Sequence, residues 1–401
     1  MNSRLFGGIL LVIGTTIGAG ILALPVATAQ MGFLGATVLL ISCWAIMMIC
    51  AMVFLEVNLR LPPNSNLISM AGMTLGRGGQ VFTWIVYLIL LYSILSAYIS
   101  GGGDLFHYLL TSQGLNVSLS TSAIIFTGIF GFIVYLGIQF VDYANRGLMI
   151  GKMGSLIVLI ALIVPFVSSG NLAHGEFKYI TSPTSLSITI LAFTSLMIIP
   201  SLRSYFNDDI KQLRLAFFWG MFIPLICYIA WNMVILGVIP FYGTPGMQQI
   251  IQSPNSNSDI VAAITYLLQK DVITSLAKFF TSICMATSFL SIALCLSDFL
   301  ADGFKVEKVG KAKSMIIGAT LMPPLLVVLF YPDAFLRGLN YAGLCCFAIM
   351  IFLPALMAWR CRYSMVDVPG TVVHVKGGKF LLAVLMIFAT LMMGLGLKGA
   401  I

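Results

Sequence analysis

The sequence has few charged residues: Asp, Glu, Lys and Arg make up 8% of its 401 positions, while 60% are hydrophobic. A typical soluble domain carries about 25% charged residues. A chain so poor in charge cannot cover a water-facing surface, and we therefore expect most of its surface to face lipid. The basic residues behind the net charge of +8 lie between apolar runs rather than on a soluble domain, so no nucleic-acid partner is expected.

Metal-binding and catalytic motifs are also lacking. The eight cysteines lie in or at the ends of apolar runs without metal-ligand spacing, and we interpret them as small core residues. The sequence contains no H-E-x-x-H, G-x-S-x-G or phosphate-binding motif. These absences argue against an enzyme, an ATP-driven pump, a metal site and a cofactor.

Long apolar runs, by contrast, are present throughout. A membrane-spanning helix needs about 20 consecutive apolar residues, and eleven runs meet this requirement. The sequence therefore predicts an all-α membrane protein with eleven transmembrane helices in a single transmembrane domain, residues 1–401, which we expect to be a monomer. The runs are 5–31, 34–60, 81–110, 121–140, 147–167, 185–206, 213–239, 272–301, 314–331, 335–359 and 380–397.

The distribution of basic residues predicts the orientation. If the N-terminus is cytoplasmic and the loops alternate, most of the 21 Lys and Arg residues fall on the cytoplasmic side, as the positive-inside rule requires. We therefore predict that the N-terminus is cytoplasmic and that the C-terminus lies on the outer side of the membrane. Glu56 and Asp298 lie near cytoplasmic helix ends, where we expect ion pairs with basic residues.

The first run has an unusual centre, which reads Thr15-Thr16-Ile17-Gly18-Ala19-Gly20. Glycines weaken a helix, and a break frees main-chain groups that are tolerated at membrane depth only when they line a cavity or are buried in protein. A half-helix that begins here would direct its positive end at a carboxylate. This pattern is typical of carriers with broken helices, whereas close helix packing is the alternative interpretation.

Residues 14–25 resemble the helix-1 signature of the tryptophan/tyrosine permeases of the amino acid–polyamine–organocation superfamily. Segments 65–67, 142–146, 199–202 and 298–303 are similar to this family in kind and order. The resemblance implies a LeuT-type core of two inverted five-helix repeats, about 5–167 and 185–359, with broken helices 1 and 6 and a peripheral helix at about 380–397. It also implies import of an aromatic amino acid, with tyrosine favoured, in symport with a proton across a bacterial inner membrane, which makes the outer C-terminus periplasmic. The sixth run departs from the family pattern, because it lacks the expected glycines and histidine.

The repeat arrangement places helix 6 opposite helix 1, which indicates further substrate-binding candidates. Phe193 would cover the pocket, and Thr194 and Ser195 would bond the substrate. Tyr92 and Ser96 are four residues apart and share a helix face. Asn340, which needs partners if buried, would meet a substrate hydroxyl. The alternative for Phe193 is that it faces lipid or the core, and for the pair Asn340 and Tyr341 the alternative is an interfacial tyrosine.

Lys152 is a charged residue inside the fifth run, where charge is costly and indicates function. In sodium-coupled relatives of this fold the sodium ion lies beside hydroxyls of helix 8, and in proton-coupled relatives a lysine similar in placement to Lys152 occupies that site. Here Ser288 and Ser291 offer such hydroxyls. Burial favours the neutral amine, so Lys152 would carry a proton reversibly. The alternative is that the flexible side chain reaches the cytoplasmic interface.

Other functions stay open at this point. Sodium symport or amino acid exchange would keep the fold and change the coupling. A channel would show a repeated pore helix or selectivity loop, and none is visible in the sequence.

Overall fold

The computed structural model describes residues 3–62, 65–253, 255–331, 334–364 and 374–400, and these residues are helical apart from short turns and loops. In the first half of the chain the α-helices are α1 (Ser3–Thr16), α2 (Gly20–Thr28), α3 (Gly32–Arg60), α4 (Leu67–Ser112), α5 (Leu119–Leu136), α6 (Ile138–Ile163) and α7 (Ser169–Ala173). In the second half they are α8 (Pro183–Ala192), α9 (Ile199–Tyr205), α10 (Ile210–Val238), α11 (Met247–Gln252), α12 (Ser256–Leu268), α13 (Asp271–Phe304), α14 (Gly310–Phe330), α15 (Ala334–Cys346), α16 (Leu353–Tyr363) and α17 (Gly378–Ala400).

Within this described part of the chain, ten helices are long and apolar enough to cross a membrane, and Arg4–Thr16 is a shorter apolar helix. Large apolar side chains cover their outer faces, and Ile150, Phe330 and Phe380 are each at least 75% exposed. Such a surface is stable only in lipid, because soluble proteins rarely expose large apolar patches. The prediction of a multi-pass, all-helical membrane protein is therefore confirmed.

The helices form one bundle with a common core. The longest helix, α4, packs against α15, and α13 packs against α6. The first of the ten long apolar helices, Gly20–Arg60, turns sharply at Gly32, where φ is +69°. A Cβ atom there would collide with the His174 carbonyl, so this turn requires glycine.

Two predicted helix boundaries were wrong. Helical structure of the third run begins at Leu67 rather than at 81, with a kink at Gly76, where φ is +77°. The fifth helix begins at Ile138 rather than at 147. The first extension contains four glycines and an arginine, and the second mixes apolar with polar residues, so neither reads as part of a continuous apolar run. In the second extension Arg146 pairs with Asp142 one turn earlier at 2.8 Å, a spacing that favours a helix.

Candidate functional site

Two interruptions lie inside apolar stretches. The first break consists of residues 17–19, between α1 and α2, and the second break consists of residues 193–195, after α8. At the first break the Gly18 amide turns back to the Thr16 carbonyl at 3.0 Å. At the second, the Ser195 amide turns back to the Phe193 carbonyl at 2.9 Å. The interruption predicted in the sixth run is therefore present without glycine.

Lys152 of α6 reaches the first break. Its side chain is buried, and its Nζ donates a hydrogen bond of 2.7 Å to the Ile17 carbonyl. The Thr287 hydroxyl on α13 lies 3.5 Å from the same nitrogen. No ion pair joins Lys152 to a carboxylate among the described residues. The ammonium thus lies in the protein interior, beside a carbonyl at the end of α1 where partial negative charge accumulates, rather than at the interface.

Ser288, the residue after Thr287, serves the other side of the first break. Its Oγ accepts a 2.7 Å hydrogen bond from the Ala19 amide, the residue that precedes α2. Tyr98 of α4 hydrogen-bonds Ser288, and its hydroxyl lies 3.7 Å from a Cβ atom built on Gly18. Ser288 therefore holds the α2 side of the interruption directly, while Thr287 contacts the Lys152 amine that bonds the α1 side.

Ser291 lies one turn further along α13 and has other partners. Its hydroxyl donates to the Thr287 carbonyl at 2.9 Å and receives a bond of 3.2 Å from Asn145. The structure therefore brings Ser288, and not Ser291, to the first break.

Replacing Ser288 by alanine should lower transport more than replacing Ser291 by alanine. The first change leaves the buried Ala19 amide without its acceptor, which costs about 1–3 kcal/mol, so we expect Vmax/KM for substrate uptake to fall roughly tenfold. Ser291→Ala should change this ratio by less than about threefold, since Asn145 is near the surface. Uptake into proteoliposomes at matched protein content measures both, and equal losses would contradict the assignment.

Tyr228 of α10 joins the two breaks. Its fully buried hydroxyl lies 2.7 Å from the Thr16 carbonyl and 2.9 Å from the Ala192 carbonyl. A tyrosine hydroxyl has one hydrogen, which these two helix-end carbonyls share. The Phe193 ring packs edge-on against Tyr228, with centroids 5.4 Å apart. Sequence reasoning missed Tyr228, because nothing in its apolar run distinguishes it from the other tyrosines.

The remaining candidates divide into two groups, and the first consists of residues at the breaks and of buried polar groups that have no hydrogen-bond partner among the described residues. Phe193 is fully buried, and the Thr194 hydroxyl lies 3.7 Å from Cys346 Sγ on α15. A Cβ atom built on Gly20 would lie 3.7 Å from Ala192 Cα, so the two breaks approach each other closely. Ser195 Oγ and Asn340 Oδ1 are buried without a hydrogen-bond partner among the described residues.

The other group bonds elsewhere. The hydroxyls of Thr15 and Thr16 both bond the Val12 carbonyl of their own helix. Tyr92 donates to the Ala319 carbonyl on α14 at 2.7 Å, and Ser96 donates to the Tyr92 carbonyl. These four hydroxyls are satisfied by main-chain carbonyls, and the structure does not direct them to the first break.

One end of the bundle is held by ion pairs. Glu56, near the end of α3, is buried and accepts a 2.7 Å bond from Arg362 Nε and a 3.0 Å bond from the Val375 amide. Asp298 pairs with Lys308. The ion pairs expected for Glu56 and Asp298 are thus confirmed.

Arg203 ties the second broken helix to the same end. Its buried guanidinium donates to the carbonyls of Asn58 and, at 3.1 Å, Leu61, which end α3. It also pairs with Asp208 at 2.5 Å. A cation at a helix C-terminus is favourable, so α9 is anchored to α3.

Buried tyrosine, lysine and serine side chains hold two interrupted helices inside a bundle of apolar helices. This arrangement is typical of multi-pass membrane transporters. The chain belongs to the tryptophan/tyrosine permease family, whose family model matches residues 1–395. The resemblance seen in the sequence is confirmed, and this family consists of permeases rather than enzymes.

Characterised relatives cover nearly the whole chain. It is 31% identical over 395 residues to tyrosine-specific transport system 2 of Haemophilus influenzae, an alignment that covers 98% of this chain and 96% of the relative. It is 29% identical to glutamine transporter 2 of Aliivibrio fischeri, over 98% and 99% of the two chains. The tryptophan-specific transport protein of Haemophilus influenzae is 27% identical, over 97% and 94%.

Proposed function

We propose that this permease imports an aromatic amino acid, with tyrosine favoured, in symport with a proton. The observation that carries the proposal is the buried Lys152 ammonium, which lies 2.7 Å from the Ile17 carbonyl at the first break. A lysine there occupies the place where a helix-end carbonyl and a hydroxyl would otherwise hold a metal cation. The amine of Lys152 can release and regain a proton during each transport cycle. A transporter coupled to sodium would need no titratable group at this place.

The arrangement of helices supports a LeuT-type core. In this assignment α1 with α2 forms the first crossing, α8 with α9 the sixth, α15 with α16 the tenth and α17 the eleventh, which gives eleven crossings. The third and tenth crossings, α4 and α15, pack together, as do the eighth and fifth, α13 and α6. Between repeat 5–167 and repeat 185–359 the third crossing corresponds to the eighth, and the fifth to the tenth. One packed pair is therefore the repeat-related counterpart of the other, as an inverted repeat requires. The peripheral crossing is 380–397.

The substrate site in this proposal lies between the breaks. The N-terminal end of α2 attracts the substrate carboxylate, and carbonyls at the ends of α1 and α8 attract its amino group. Ser195 and Asn340, whose buried oxygens have no partner among the described residues, supply the side-chain hydrogen bonds. A site that bonds a substrate hydroxyl discriminates strongly against the analogue that lacks it, which favours tyrosine over phenylalanine.

Coupling follows from the position of Lys152. The protonated amine holds the Ile17 carbonyl and Thr287 together, which keeps α1 against α6 and α13. Loss of the proton weakens this charge-assisted contact and frees α1 to move. Alternating access requires such movement of one bundle against the other, and proton release is thereby tied to opening at one side.

The orientation in this proposal is a cytoplasmic N-terminus and a periplasmic C-terminus in the bacterial inner membrane, and the unit is a monomer. The end that carries Arg60, Arg203 and Lys308 is then cytoplasmic, in agreement with the positive-inside rule.

The test is uptake of radiolabelled tyrosine into proteoliposomes with an inward pH gradient or an inward sodium gradient imposed separately. We expect accumulation with the pH gradient alone, and excess unlabelled tyrosine or tryptophan should compete more strongly than glutamine. Accumulation with sodium alone would replace the proton by sodium, and stronger competition by glutamine would replace the aromatic substrate. Linear, non-saturating flux without accumulation would indicate a channel.

A further inference from the structure

A groove on the lipid-facing side of the bundle lies away from both breaks. It has a volume of about 470 Å³ and lies between the N-terminal part of α4 and the start of α16. This volume is within the range of small-molecule sites, roughly 300–1,000 Å³. The walls of the groove are apolar except for one arginine. The lining residues are Leu75, Gly78, Gly79, Phe82, Phe352, Leu353, Leu356 and Arg360.

Charge is present only at one end of this groove. Arg360 is exposed and lies one helical turn beyond Leu356, while no acidic side chain lines the groove among the described residues. Arg77, which directly precedes Gly78, is also exposed. Arg60 donates to the Cys361 carbonyl at 3.1 Å, so the groove ends at the basic end of the bundle. An apolar trough that ends in a guanidinium at the membrane boundary matches an acyl chain that ends in a phosphate.

We propose that this groove, which we name the α4/α16 groove, binds an anionic phospholipid of the leaflet at the basic end. One acyl chain lies along Phe82, Phe352 and Leu356, and the phosphate is bound by Arg360. Arginine suits this role because its planar fork bonds two phosphate oxygens at once. The bound lipid connects the N-terminal part of α4 to α16, whose Arg362 holds Glu56.

The glycines make the groove. A Cβ atom built on Gly78 has no heavy atom within 4 Å, whereas one on Gly79 collides with the Leu75 side chain. Gly78→Leu therefore adds a side chain to the groove from a position where its Cβ atom has no close neighbour, and Gly79 is not suitable for this test.

The experiment is native mass spectrometry of the full-length protein in mild detergent. Phosphatidylglycerol, phosphatidylethanolamine and phosphatidylcholine with identical acyl chains are added in equal amounts, and the first bound lipid is counted. We expect about fivefold more phosphatidylglycerol than either other lipid bound, the gain expected for one arginine near an anionic headgroup. Arg360→Gln should reduce this preference to near parity, and Arg360→Lys should keep most of it.

Two further variants provide the controls. Arg214→Gln removes an exposed arginine at the start of α10 that lies outside the groove, and it should leave the preference unchanged. Gly78→Leu should reduce first-lipid binding for all three headgroups, and excess glycerol 3-phosphate should not displace phosphatidylglycerol, because the acyl chain contributes to binding. Equal binding of the three lipids to the native chain, an unchanged preference in Arg360→Gln, or displacement by glycerol 3-phosphate would each overturn the proposal.

Discussion

Replacing Lys152 by methionine should abolish proton-driven accumulation of the substrate. Methionine keeps the length and volume of the side chain but offers no donor to the Ile17 carbonyl, which now receives a 2.7 Å bond from Nζ. A gradient of one pH unit is worth about 1.4 kcal/mol per proton, which supports about tenfold accumulation at one proton per substrate. Without a titratable group at the first break, this accumulation should disappear and the substrate should only equilibrate.

Exchange separates coupling from binding in the same variant. Proteoliposomes preloaded with unlabelled substrate should still take up labelled substrate when they contain Lys152→Met, because this process needs no net proton movement. Lys152→Arg should fail in both assays, since arginine stays protonated and keeps α1 attached.

Lys211→Met is the matched control, because it removes an exposed lysine at the start of α10 and should accumulate substrate normally. Tenfold accumulation by Lys152→Met under a pH gradient alone would show that the proton travels elsewhere.

Replacing Tyr228 by phenylalanine should reduce Vmax/KM by about tenfold or more. The variant keeps the ring that packs on Phe193 but leaves the carbonyls of Thr16 and Ala192 without the hydroxyl that they share. An unsatisfied buried carbonyl costs about 1–3 kcal/mol, and this cost falls on the state in which the two breaks are held together. We expect KM to rise more than Vmax falls, since the substrate then has to bring the two broken helices together.

Tyr87→Phe provides the comparison for this variant. Tyr87 is a half-buried tyrosine between α4 and α13, and among the described residues its hydroxyl has Cys295 Sγ, at 3.5 Å, as its hydrogen-bond partner. Its loss should leave Vmax/KM within about twofold of the native value, because a sulfur is a weak hydrogen-bonding partner. Equal effects of the two substitutions on KM would show that Tyr228 supports folding rather than the geometry of the breaks.

Broken helices are predictable from sequence when glycine marks them. The first break appears where Gly18 and Gly20 interrupt an apolar run, because each glycine lowers helix stability locally. The second break has no glycine, and its residues contact Tyr228 and Cys346, which are distant in sequence. Local composition therefore indicated the first interruption, whereas the second was predicted only from the resemblance to a family.

Site residues show the same division. Lys152 was identifiable because a charge inside an apolar run is rare and costly. Tyr228 was not, because a tyrosine in such a run is common and its importance lies in two carbonyls from distant parts of the chain. Among the hydroxyls, sequence spacing could not distinguish Ser288, which meets the Ala19 amide, from Ser291, which bonds Thr287 and Asn145.

The sequence by itself determined that this chain is a multi-helix membrane protein of the permease family, that its first apolar run is interrupted and that its fifth apolar run contains a lysine, Lys152. These properties depend on composition and on neighbours in the chain, because transfer into lipid is nearly additive along a helix. Tertiary structure alone decided which groups meet at the breaks. Helix rotation and packing depth select one hydroxyl out of several on a face, so Tyr228 and Ser288 acquired their partners only when α10 and α13 packed against α1 and α2.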